Sequence, residues 1–327
     1  MSRYCRPMGV GEPPKAGLAA AIVAGNLRVD TATAEVLRTF DAGGVNSLLL
    51  KGTSTARWLY GGDDRRAYAD FDVLVRPADL QAAERLLAEL GFEPGVDERD
   101  RPGWARSHGV AWLRRRDGAL VDLHRTLPEV GVDPERVWLT LSSNVETLVV
   151  AGHPATALTI PGRAFHLALH AAHHGAEMAK ALVDMERAVA RTDEATWREA
   201  AGLAAQLDAT LAFAAGVRMV PGGRRLADAL ALPTAQPVNL VLRASNAPLA
   251  AHGLNEIAGA KDWHARLSVV RRKVVPPAAF VRTWSPSLAR HGPLGLALAY
   301  AWRPLWVLGR APAGFMAWRT ARRRARS

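Results

Sequence analysis

The stretch RRAYADFDVLV, Arg65 to Val75, decides how this chain is read. A β-strand sends alternate side chains to one face, so Asp70 and Asp72 point together at the entrance to an apolar run while Phe71 and Val73 take the other side. Two carboxylates held side by side repel. A positive group between them relieves the repulsion, and a divalent metal is the usual one.

Ahead of this strand, VNSLLLKGTSTARWLY gives a short apolar run, Ser47 to Leu50, ended by Gly52 and followed by a helix start with Thr53 or Ser54 as its cap. Behind it, RPADLQAAERLLAELGF has leucines and alanines at helical spacing, with Gly91 as a natural stop. From Trp104, two strand-like runs flank Asp117-Gly118, the dipeptide of a tight hairpin, and the second run carries Asp122 and His124 between apolar neighbours. Residues 16–42 read as helices, with Asp30 or Thr31 capping the second. Beyond about residue 135 strand signals nearly vanish into long Ala/Leu-rich periodic stretches. The pattern is a strand-helix alternation followed by a helical second half.

With 327 residues and 49% hydrophobic content the chain can bury a core of one large or two smaller domains. Its 42 Lys and Arg against 31 Asp and Glu give a formal charge of +11, which favours partners bearing phosphate or an anionic membrane surface. The single cysteine, Cys5, excludes an intramolecular disulfide and fits a reducing interior, so the cytoplasm is the expected location. AGLAAAIVAG, Ala16 to Gly25, is not read as a secretory signal, because Pro13, Pro14 and Lys15 abut it and an amphipathic pattern continues it. PLGLALAYAWRPLWVLG, Pro293 to Gly309, approaches the length of a spanning helix before Arg303 and Pro304 interrupt it. With Trp302, Trp306, Trp318 and trailing arginines, this end has the composition of an interfacial anchor, which implies peripheral membrane contact; docking onto the helical half is the alternative.

Asp70, Asp72 and Asp122 thus stand on two strands of one α/β unit. Two-metal phosphoryl transfer needs carboxylates that bridge ions roughly 3.5–4 Å apart, and a D-x-D pair plus a third Asp supplies them. Phosphates bind at helix N-termini, where backbone N–H groups are unpaired and the dipole is positive; Lys51-Gly52-Thr53 offers such a place. Glycine allows close approach, the Thr53 and Ser54 hydroxyls supply donors, and Lys51 or Arg66 neutralises a triphosphate. His124 shares a strand face with Asp122, placed to orient a carboxylate or contact phosphate. Further on, His166, His170 and His173 or His174 fall on one helical face, without the H-E-x-x-H spacing of a zinc protease, and Asp184 follows as a partner for one of them. They read as a metal-ligating cluster, as a wall of the nucleotide or acceptor cleft, or as helix packing. Trp197, Trp263 and Trp284 read as core or docking surface.

Taken in order, LLLKGTSTARWLY, the R-x-x-x-D-x-D arrangement in RRAYADFDVLV and the later LVDLHRTL resemble the uncharacterised nucleotidyltransferase family of the DNA polymerase β superfamily. FHLALHAAHHG with LVDMERAV, and RRKVVPPAAFVRTWSP, resemble its downstream segments, so the resemblance covers most of residues 45–290. It implies an α+β (α/β) polymerase-β-like fold, a small mixed sheet with flanking helices and a helical domain closing over the nucleotide. The chain then divides into N-terminal helices (1–42), the nucleotidyltransferase core (43–135), the helical domain (136–290) and the apolar, Trp-rich, basic C-terminal segment (291–327). By position, the resemblance assigns Asp70 and Asp72 to two magnesium ions, Asp122 to deprotonation of the attacking hydroxyl, and Gly52 and Thr53 to the β- and γ-phosphates. Better-known members of the superfamily have Gly-Ser at this turn, whereas this chain has Gly-Thr preceded by Lys, which leaves the nucleotide preference open. The implied reaction is magnesium-dependent transfer of a nucleoside monophosphate from a nucleoside triphosphate to a hydroxyl on a small molecule, a protein or RNA, with release of pyrophosphate. A non-catalytic binding protein on the same fold, or a basic nucleic-acid-binding protein, are the rival readings; no reading helix or aromatic RNA motif supports the last.

Overall fold

Residues 15–42 contain no helix breaker strong enough to divide them, and they form one helix, α1 (Lys15–Ala42). The computed structural model describes residues 15–61, 64–95, 108–175, 178–245 and 247–325, so Cys5 and the beginning of the run at Trp104 lie outside the described residues. The expected break at Asp30 and Thr31 does not occur. Thr31 returns its hydroxyl to the Leu27 carbonyl (2.8 Å), and the Asp30 carboxylate leaves the helix to accept from Thr53 and, at 2.8 Å, from the Tyr68 hydroxyl. A side chain engaged by a distant segment has no reason to cap its own helix.

Along the chain follow β1 (Ser47–Leu49), α2 (Thr53–Leu59), β2 (Asp70–Val75), α3 (Leu80–Glu89), β3 (Glu93–Pro94), β4 (Gly109–Arg114) and β5 (Ala119–His124). The β4–β5 hairpin turns at Asp117-Gly118, where Gly118 takes a φ of 70° and Asp117 accepts the Ala119 N–H at 3.1 Å. After α4 (Pro134–Ser142), capped by Asp133, the chain returns to strand in β6 (Val145–Val150) and β7 (His153–Leu158). The sequence carries almost no strand signal beyond about residue 135. These two join the same sheet, whose order is β3-β4-β5-β2-β1-β7-β6; β2 with β5 and β1 with β7 are parallel, and the other pairs antiparallel. The sheet is therefore mixed, as the resemblance implied, and the class is α+β.

Its two faces differ in what covers them. Phe71, Val73, Val75, Val121 and Leu123 point to one side and pack with α1 residues such as Val36 and Phe40. Leu48, Leu50 and Leu74 point to the other and join a core built from the helical half. Strand alternation puts Asp70 and Asp72 on the same side as Leu74, so the acids face the helices. That helical half comprises α5 (Ile160–His174), α6 (Ala179–Arg191), α7 (Glu194–Gln206), α8 (Thr210–Val217), α9 (Pro221–Ala229), α10 (Val238–Ala244), α11 (Leu249–Gly259), α12 (Trp263–Val274), α13 (Ala278–Trp284), α14 (Pro286–Ala289) and α15 (Gly292–Arg324). Buried Trp197 and Phe213 pack 6.2 Å apart between α7 and α8, so Trp197 belongs to the core.

Gly52 is the N-cap of α2, at φ 74° and ψ −119°. A Cβ there would lie 3.3 Å from the Asp70 carbonyl oxygen. Gly52→Ala is expected to cost about 1–2 kcal/mol of stability, through the left-handed backbone and the crowding of β2 together. Urea denaturation of the two proteins measures it, and an unchanged midpoint contradicts it.

Candidate active site

Parallel pairing of β2 with β5 sets Asp72 opposite Asp122 and Leu74 opposite His124. On the other flank, the Leu50 N–H donates to the Asp72 carbonyl at 2.9 Å, which carries Lys51 to the same place. The buried Asp72 carboxylate consequently meets two cationic or donor groups at one oxygen: Lys51 Nζ and His124 Nε2 each lie 3.0 Å from Oδ1. Its other oxygen, Oδ2, is buried with no hydrogen-bond partner. Asp72, Asp122 and His124 offer ligand atoms that all lie within 4.8 Å of one another. This is the one such group among the described residues. Asp70, half-buried two residues earlier on the same face, is outside it but adds to the negative field that Asp122 feels.

The electrostatics divide the two acids. Burial works against ionisation of Asp72, yet the Lys51 charge and the His124 hydrogen bond outweigh it and hold the carboxyl far below the usual range. Burial also pushes Asp122 up, and there the Asp72 charge adds to the effect. One acid is thus locked as an anion while its neighbour is made more basic. A cation bound to the free Asp72 oxygen and to Asp122 would relieve both conditions, so these residues fit a divalent metal.

The glycine turn differs from its expected use. Thr53 gives its hydroxyl to Asp30 and also lies 3.2 Å from the Tyr68 hydroxyl, and buried Ser54 donates to the Leu50 carbonyl at 3.0 Å. Neither hydroxyl caps α2. Arg66 is likewise committed: Nε and Nη2 grip Asp184 of α6 at 2.9 and 2.8 Å, and the Tyr60 hydroxyl donates to the same carboxylate at 2.6 Å. Asp184 therefore partners Arg66 and not a histidine. The pair is almost wholly buried and ties the loop before β2 to the helical half.

Six histidines surround the acids. His166, His170 and His174 climb one face of α5 with successive ring centroids 6.4 and 4.4 Å apart, and His173 reaches His124 through His108 with centroids 5.1 and 5.2 Å apart. Burial pushes His108 and His166 down to about 3 and His174 to about 4, and lowers His170 too; nearby Lys51 and neighbouring histidines add to this. These four rings are neutral at pH 7. At the rim, His173 and Asn239 hold Glu129 at 3.1 and 2.6 Å, and Arg243 joins them. Sequence reasoning missed Asp30, His108, Glu129 and Arg243. Asp30 reads in the sequence only as a helix cap, and the other three carry no sign.

A family model described as uncharacterised nucleotidyltransferase matches residues 17–221. The chain belongs to this family. None of the curated proteins matches it. Among solved structures, the antibiotic-resistance factor ANT(2'')-Ia is similar at 13% identity and a TM-score of 0.39, over 55% of this chain and 93% of that one. An antigenic nucleotidyltransferase-like protein from Paracoccidioides brasiliensis is similar at 16% identity and a TM-score of 0.36, over 56% and 93%. Likeness at that level says nothing of this chain's substrate. Membership of the family supports nucleotidyl transfer in general.

The neutral histidines make stability depend on pH. Their folded pKa values lie below the unfolded value of about 6.5, so the unfolded chain takes up protons first as the pH falls. Asp72 and Glu129, both held low, stay ionised in that range, and Asp122 works in the opposite direction. Stability is expected to be level above about pH 7 and to fall between about 6.5 and 4, by up to about 1.4 kcal/mol per pH unit for each such histidine. Urea denaturation across this range checks it. His166→Asn should reduce the slope by about one proton, and a profile flat down to pH 5 contradicts the account.

Proposed function

We propose that this protein transfers a nucleoside monophosphate from a nucleoside triphosphate to a hydroxyl-bearing acceptor in the cytoplasm, releasing pyrophosphate, with magnesium as the metal. The observation that carries the reading is the convergence of Asp72, Asp122 and His124 around a buried carboxylate oxygen without a partner. Asp72 and Asp122 would hold the cation, with Asp70 beside them for a second ion. A divalent cation at this place would neutralise phosphate charge and acidify the acceptor hydroxyl.

The chain's own groups take the remaining roles. Asp122, set opposite Asp72 across β2 and β5, is the carboxylate that takes the proton of the acceptor hydroxyl. The acceptor oxygen bonds to the α-phosphorus as the bond from that phosphorus to the bridging oxygen breaks, and pyrophosphate leaves. Lys51 and the backbone at Gly52 and Thr53 receive the phosphates, since the two hydroxyls are already spent. His124 orients Asp72 through its 3.0 Å hydrogen bond. Arg66 serves as a positioning residue, holding α6 against the loop that delivers β2. The neutral imidazoles of α5, each able to donate and accept, form the wall against which the acceptor lies.

Incubation of purified protein with each labelled nucleoside triphosphate, magnesium and cell extract tests the reading. One acceptor species should become labelled, and chelation should abolish the signal. Asp122→Asn should lower transfer by about 10²–10⁴-fold, Asp72→Asn should eliminate it, and the far-UV circular dichroism of both should be unchanged. Undiminished transfer in either variant contradicts the assigned roles.

A further inference from the structure

α15 is packed inside out. Its buried positions are Gly295, Ala299, Gly314 and Ala321, with one arginine, Arg303. Gly314 lies so close to α11 that an added Cβ would meet the Ala250 Cβ at 2.5 Å, so the contact admits only the smallest residue. Arg303 donates Nε to the Lys273 carbonyl at 3.0 Å and lies over the rings of Phe280 and Trp284, at 5.0 and 4.8 Å. The residue that interrupts the apolar run in sequence is thereby turned to the inner side of the helix.

The outer side receives the large apolar residues. Leu294, Leu298, Trp302, Leu305, Leu308 and Met316 are between 52% and 80% exposed and recur at intervals of three, four and eight, which lines them along one side of the helix. Every other exposed residue from Gly292 to Met316 is Ala, Gly, Pro or Phe, except Arg310. A soluble helix turns its leucines inward, and an apolar stripe of this length facing water marks a surface that something covers. Immediately beyond it Arg319, Arg322, Arg323 and Arg324 are exposed. From residue 261 to 324 the chain carries thirteen Lys and Arg against the single acid Asp262.

We infer that α15 lies along an anionic membrane surface, with its outward leucines and Trp302 entering the boundary of the acyl chains and its terminal arginines meeting lipid phosphates. Apolar stripe and cationic end are both satisfied by that one partner. A second copy of the chain would bring the same excess of positive charge against it. The helix lies on the bilayer and does not cross it, since no helix among the described residues is long and apolar enough to span. The inference is independent of nucleotidyl transfer.

Co-sedimentation of the full chain with vesicles tests it, using phosphatidylcholine alone and phosphatidylcholine with about a quarter phosphatidylglycerol. Binding to the anionic vesicles is expected to be at least about tenfold tighter and to weaken with salt. Leu298→Glu combined with Trp302→Glu, both at outward positions, should weaken it about tenfold or more without moving the thermal midpoint. Arg322→Gln with Arg323→Gln should reduce binding to the anionic vesicles only. Absence of binding to anionic vesicles, or binding undiminished in both variants, overturns the inference. So does a vesicle-free dimer that the Glu variant dissociates, which would assign the stripe to a second copy.

Discussion

Two carboxylates on adjacent parallel strands, Asp72 and Asp122, set the terms for the rest of the site. A parallel β2–β5 pair in this register places them side by side, with Asp72 buried and Asp122 half-buried. Repulsion between like charges grows as the surroundings become less polar, so the arrangement persists only where positive charge is supplied. Lys51 supplies part of it at one oxygen of Asp72, and His124 Nε2 lies at hydrogen-bond distance from the same oxygen. The second oxygen receives nothing from the protein. That imbalance is the physical reason for reading a cation site here.

The helical half is needed because the acids face it. Had the sheet presented Asp70 and Asp72 to α1, they would sit in the apolar layer of Phe71 and Val73. Facing α5, they meet a layer of imidazoles kept neutral by burial, polar enough to receive a substrate yet adding no permanent positive charge. The buried Arg66–Asp184 pair fixes the distance between these layers: removing either partner would leave an uncompensated charge in the interior. The R-x-x-x-D-x-D segment and the LVDMERAV helix, which stand far apart in sequence, are joined by this contact.

The parts of this arrangement legible in sequence were those with a local period or a local turn. FDVLV alternates, RPADLQAAERLLAELGF repeats at helical spacing, and Asp117-Gly118 has the chemistry of its hairpin. The β6–β7 hairpin lacked such signs, because its turn is Ala151-Gly152 with both residues at positive φ, and β7 contains Pro154 and two alanines. Asp30 followed by Thr31 imitates a helix cap, and nothing near them shows that Thr53 and Tyr68 claim the carboxylate. The D-x-D pair could be placed on one face from its spacing, but which carboxylate gathers Lys51 and His124 depends on the pairing of three strands. Strand register, unlike strand alternation, is a property of the folded sheet. For the same reason the sequence sets Asp184 near the histidines of the neighbouring helix, whereas its partner Arg66 lies 118 residues away.

The most direct test is an anomalous diffraction measurement on crystals of the full chain grown with manganese, an ion that takes the same oxygen ligands as magnesium and scatters anomalously. The account predicts a peak at coordination distance from the free Asp72 oxygen and from Asp122, absent from crystals of Asp72→Asn. No peak between these side chains, or one that survives that substitution unchanged, would contradict it.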